Sequence, residues 1–161
     1  MNTRRISLIL LTIGMIAALV TSAYAARADD DGRGKLVGTW FCDVPTSDTG
    51  FPPFQALHTF HSDGTFIETS SLLGLGEEGP AHGVWSSRGR NHALTFQLFG
   101  FDPESGQAVI RIIVRVSIQL DGKNHQNARY AVDLIDLEGN RTPNVDTGTY
   151  ECTRMQVESA P

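Results

Sequence analysis

The chain has little cysteine, no cationic cluster after its first few residues, and one long apolar run. Each shortage excludes something. Two cysteines, Cys42 and Cys152, in 161 residues cannot build a multi-thiolate metal centre or a disulfide-dense scaffold. They form either one bridge or two separate buried thiols. The net charge is −5, and no Lys/Arg run follows Arg4 and Arg5. That excludes charge-driven binding to nucleic acid or to an anionic membrane surface. Five histidines, His58, His61, His82, His92 and His125, lack ligand spacing such as H-x-x-x-H, so no metal is expected. Phosphate loops, nucleophile elbows and zinc signatures are missing too, and no cofactor is expected.

The apolar run, "ISLILLTIGMIAALV" from Ile6 to Val20, follows Arg4 and Arg5 and precedes Ala23-Tyr24-Ala25. A positive start, a short apolar stretch and small residues at the cleavage positions read as an export signal over 1–25. The alternative is an uncleaved anchor, but the run is short for a span, which takes ~20 apolar residues. Cleavage leaves no stable membrane anchor, and the product is secreted or periplasmic. Residues 26–35, "ARADDDGRGK", read as a disordered leader, with one domain over 36–157.

That domain lacks helical periodicity. Alternating or β-rich runs occur at Leu36–Asp43, Phe54–His61, Thr65–Ser71, Ala81–Ser87, Ala93–Phe101, Ala108–Leu120, Ala128–Leu137 and Thr147–Val157. Between them stand "PTSDTGFPP", "SDG", "GLGEEGP", "SRGRN", "DPESG", "DGKN" and "EGNRTPN", rich in residues that supply turn dihedrals. The expected fold is all-β: one eight-stranded up-and-down antiparallel barrel, whose closure leaves no exposed edge. A two-sheet sandwich is the alternative.

If the first and last strands pair antiparallel, opposed residues share a constant index sum. Trp40 with Arg154 and Cys42 with Cys152 have the same sum, so one register opposes both pairs on one face. Opposed Cα atoms lie ~4.5–5.5 Å apart, within disulfide range, and an exported protein meets the oxidising compartment such a bond needs.

These residues resemble the lipocalin-like (calycin) superfamily. Lipocalins carry Gly-x-Trp on the first strand, here Gly38-Thr39-Trp40, and an arginine on or after the last strand, here Arg154. The resemblance implies an eight-stranded barrel plugged at one end by a cation–π contact of Arg154 on Trp40. The long helix that lipocalins place after the barrel has no counterpart in the few residues after Arg154. "PFQALHTFHSDGTFIETSS" and "GPAHGVW" are similar to a group of secreted bacterial barrel proteins without an assigned activity.

An eight-stranded barrel is packed solid or holds one small ligand. On the sixth strand Ile110, Ile112, Val114, Val116, Ile118 and Leu120 should face inward, leaving Arg111 and Arg115 solvated, with Asp133 as a partner. In "TFHSDGTF" a type I turn with Gly64 left-handed makes a bulged hairpin. It opposes Phe60 to Phe66 and His58 to Glu68, whereas a two-residue turn at Asp63-Gly64 would put Glu68 on the other face. If that face is interior, Glu68 would orient the His58 imidazole and favour its charged form, as a general acid/base needs. A plain cross-strand polar pair is the simpler reading.

Three functions follow. The favoured one is an exported, non-enzymatic binder of a small apolar or amphipathic molecule. Its expected lining is Phe54, His58, Phe60, Phe66, Phe96, Phe99, Phe101 and Tyr150. The second is a cyclase or isomerase acting on a hydrophobic substrate through His58 and Glu68. The third is a filled structural barrel. The sequence assigns no oligomeric state.

Overall fold

The computed structural model describes residues 33–72 and 79–160. The expected export signal and residues 26–32 of the expected leader lie outside the described residues. After one helical turn, α1 (Arg33–Leu36), come eight strands: β1 (Gly38–Val44), β2 (Phe54–Phe60), β3 (Thr65–Ser70), β4 (Ala81–Arg88), β5 (Asn91–Phe101), β6 (Ala108–Asp121), β7 (His125–Ile135) and β8 (Arg141–Arg154). They form a closed antiparallel up-and-down barrel in sequence order. Because β1 also pairs with β8, the sheet has no free edge and the sandwich alternative falls. No helix among the described residues is long and apolar enough to cross a membrane.

Period-two patterning decides which residues make the core. Trp40, Cys42 and Val44 of β1 are buried, as are Leu94, Phe96 and Leu98 of β5, and Val116 and Ile118 of β6. Each large apolar side chain removed from water contributes ~1.5–3 kcal/mol. Most intervening residues face solvent, Arg111 and Arg115 among them, while Ile113 between those two is buried. The rule has a consequence for Phe99: three residues from Phe96 on an unbroken strand, it must take the opposite face. It is 53% exposed, which corrects its expected place in the lining.

One end of the barrel is plugged. Cys42 and Cys152 form a disulfide, Cα atoms 4.0 Å apart, in the register that also opposes Trp40 to Arg154. The Arg154 guanidinium lies 4.1 Å from the Trp40 ring centroid. It donates from Nη1 to the Val37 carbonyl at 2.7 Å and from Nε to the Lys123 carbonyl at 2.9 Å, and Nη2 donates to the Lys35 carbonyl. Trp40 Nε1 donates to the Leu36 carbonyl at 2.9 Å. Gly38 sits at φ +128°, and a Cβ there would lie 2.6 Å from Arg154 Nη1. The glycine of Gly-x-Trp is therefore needed both for its dihedral and for room. Residues 33–35, expected in a disordered leader, belong to α1, and Leu36, expected on a strand, ends it fully buried. The hydrogen bonds at Leu36 and Lys35 explain this correction.

The β2–β3 hairpin adopts the bulged register. His61 N–H donates to the Thr65 carbonyl at 3.0 Å, Gly64 N–H to the His61 carbonyl at 3.1 Å, and Gly64 takes φ +93°. Phe60 opposes Phe66 and His58 opposes Glu68. Trp85 Nε1 donates to the His61 and Thr65 carbonyls at 3.0 and 3.1 Å, fastening the turn to β4.

The β7–β8 pairing departs from expectation. "EGNRTPN" reads as turn chemistry, yet β8 begins at Arg141 and β7 already at His125. Val132 opposes Asp146 while Leu134 opposes Thr142, so β8 spends four steps where β7 spends two. This bulge places Asn144 at φ 52°. Asp133, on the outer face, holds the bulge in place. Its Oδ1 accepts from Asn144 N–H at 2.9 Å and Arg115 Nη2 at 2.7 Å. Its Oδ2 accepts from Arg141 Nε at 2.8 Å and from Arg141 Nη2. With no solvent-exposed side-chain surface, Asp133 is capped by its partners. The Asn144 N–H and then Arg141 and Arg115 hold its carboxyl down at about 2.

Candidate functional site

Opposite the plug, the connections 45–53, 102–107 and 136–140, with the described ends 71–72 and 79–80 of the β3–β4 connection, surround an open end. A cavity of about 330 Å³ enters there, at the small end of ligand pockets, which span ~300–1,000 Å³. Its wall is apolar: Phe54, Phe96, Leu98, Ile112, Val114, Val132 and Leu134 line it, with Phe51, Leu72 and Val145 among the residues at the mouth.

His58, Glu68 and Tyr150 also line the cavity. His58 and Glu68 reach it from facing positions on β2 and β3 because the Gly64 bulge sets their register. Tyr150 comes from β8, two residues before the disulfide. The three are 3%, 6% and 4% exposed. His58 lies among rings, with Phe66 and Tyr150 centroids 5.1 and 5.3 Å away and edge-on. Among the described residues its Nδ1 has no hydrogen-bond partner, and neither has the Tyr150 hydroxyl. Burial pushes His58 down to about 3, so the imidazole is neutral near neutral pH. The expected charged imidazole is thereby corrected: desolvation decides the protonation state. Burial, and next the charge of Glu68, push the Tyr150 phenol up.

The remaining expected lining residues divide by depth. Phe60 and Phe66 are buried but pack below the cavity, 4.9 Å apart between centroids. Phe66 and Phe96, from β3 and β5, meet at 5.3 Å across Gly83. A Cβ at Gly83 would lie 2.9 Å from the Phe96 Cα and 2.5 Å from the Thr95 carbonyl oxygen. The missing side chain is what lets the two rings approach. Phe101, at the β5–β6 irregularity, is half-buried.

Two polar residues of the wall and mouth, Tyr130 and Asp146, were not among the expected residues. Tyr130 lies flat over Gly148, stacks on Tyr150 at 6.3 Å, and donates to Asp146 Oδ2 at 3.3 Å. Thr49 Oγ1 donates to Asp146 Oδ1 at 2.5 Å. Burial works to raise the Asp146 carboxyl, but hydrogen bonds from Thr49 and Ser47 outweigh it and hold it below its usual range. Tyr130 is pushed up to about 12, by burial and then by Asp146. The alternation in "NVDTGTY" was the available signal for Asp146, but the preceding Asn-Arg-Thr-Pro concealed the strand.

At the plugged end the Ser87 hydroxyl and His92 Nδ1 are 2.6 Å apart. Among the described residues His92 Nε2 and both side-chain polar atoms of Gln126 have no partner. Neither residue lines the cavity. Cys42, His58 and Cys152 are the one trio of ligand-type residues with donor atoms within 4.8 Å of one another among the described residues. In the disulfide each sulfur is bonded to the other, so this trio offers a metal one nitrogen and no thiolate.

The fold and site together define a closed β-barrel with an apolar cup at one end. Compared with known proteins, the chain matches no family model, no curated protein and no solved structure.

Proposed function

We propose that this protein is an exported, non-enzymatic carrier of one small apolar or amphipathic molecule, held in the open half of a lipocalin-like barrel. The observation that carries this reading is the cavity itself. It is walled by aliphatic and aromatic side chains and also lined by His58 and Tyr150, whose Nδ1 and hydroxyl have no hydrogen-bond partner among the described residues. Buried polar groups normally find a partner, and a ligand head group would supply one. The buried disulfide suits an oxidising compartment, in keeping with the export signal read in the sequence.

The cyclase or isomerase reading draws on the His58–Glu68 opposition. The low proton affinity of His58 weighs against it, since a general base works best with a pKa near the working pH. Mass spectrometry of the exported protein under native and denaturing conditions tests the carrier. The expected result is a non-covalent adduct, absent from the denatured mass and lost when Val114→Trp fills the cup. Retention of the same adduct by a folded Val114→Trp protein would refute the assignment to this cavity.

A further inference from the structure

The charge of the cup distinguishes among small amphipathic molecules. Among the described residues no lysine or arginine lines the cavity, whereas carboxylates stand at two levels, Glu68 on the floor and Asp146 at the mouth. Beside Glu68 are two groups more than nine-tenths buried, His58 and Tyr150, whose Nδ1 and hydroxyl have no hydrogen-bond partner among the described residues. A carboxylate offers about four lone-pair sites, so Glu68 can accept from a ligand in addition to its existing contact. Ring faces carry negative charge, and His58 is surrounded by Phe66, Phe96 and Tyr150.

We infer that the cup selects an amphipathic amine, its ammonium group on the floor and its hydrocarbon part along the apolar wall. The inference rests on the carrier reading above and narrows it. An ammonium has three N–H donors and no acceptor. It would give one to Glu68, one to His58 Nδ1 with the imidazole proton on Nε2, and one to the Tyr150 oxygen. Ammonium and carboxylate cancel, so no net charge is left buried. A fatty acid would instead place a second carboxylate beside Glu68 with no cation to offset either. A neutral alcohol would fill the same space but offers one donor for three acceptors. The volume suits a short alkyl chain or one ring, not a long lipid tail.

The test is titration calorimetry at pH 7 on the exported, disulfide-bonded protein with octylamine, octanol and octanoate, which share a chain and differ in the head. The amine should bind at least tenfold more tightly than the alcohol, with octanoate weakest. Glu68→Gln should bring the amine down to the alcohol's affinity, and circular dichroism reports whether the variant is folded. Octanoate binding as tightly as octylamine, or an amine preference that survives Glu68→Gln, overturns the inference. Octanol bound without any amine preference overturns it but leaves the carrier standing. No binding by all three removes both. If Glu68→Gln does not fold, the wild-type ratio of octylamine to octanoate decides alone.

Discussion

Burial of His58 makes the fold sensitive to acid. Its imidazole titrates near 6.5 when exposed but is pushed to about 3 in the fold. The unfolded chain therefore binds a proton that the folded chain refuses. The sign follows: this contribution is complete above pH 6.5 and is lost progressively as the pH falls toward 3, at about 1.4 kcal/mol per pH unit. His92, also lowered by burial, works in the same direction. Urea midpoints between pH 7 and pH 4 should fall steeply for the wild type and less steeply for His58→Gln. An unchanged slope would mean that His58 is not the group responsible.

Among the elements, the β7–β8 bulge depends on one carboxylate. Asp133 satisfies the left-handed Asn144 N–H and gathers Arg115 and Arg141 around it. Asp133→Asn removes the charge that both guanidiniums share and forces one amide oxygen to serve several donors. Tm should drop by several degrees, and amide exchange at 141–146 should quicken while β2 and β3 stay protected. Protection unchanged at 141–146 would show that the bulge holds without the ion pairs. The two hairpin elements also show what was legible. His61-Ser62-Asp63-Gly64 allows either a bulged type I turn or a two-residue turn, and only the bulged turn, which the hairpin adopts, faces His58 on Glu68. Equal index sums paired both cysteines and the Trp40–Arg154 plug. Bulges interrupt such counting, because extra residues shift which side chain meets which. Pro143-Asn144 reads locally as a turn, yet tertiary partners hold it in a strand, and with it went Asp146 at the mouth. Phe99 was misplaced for a different reason: aromatic character outweighed parity, although its odd spacing from Phe96 already put it outside. The protonation state of His58 could not be read at all, since it depends on how many rings from distant strands close over it.

For the whole molecule, closure rests on a short seam. β1 and β8 oppose four residue pairs, against eleven for β6 and β7, and the disulfide lies inside those four. Its cysteines are 110 positions apart, and for a loop of that size the chain-entropy account gives at most about 4–5 kcal/mol. Cys42→Ser/Cys152→Ser should lower the urea midpoint and raise the m-value, because the unbridged denatured chain exposes more surface. A double variant as stable as the wild type would assign closure to the Trp40–Arg154 plug alone.

That plug also settles which way the cup faces. β1 starts and β8 finishes beside Trp40, so both strand ends lie at the sealed base, away from the open end. A tether, a fusion partner or a surface attached through either strand end would grip the vessel by its foot and leave the opening clear for traffic.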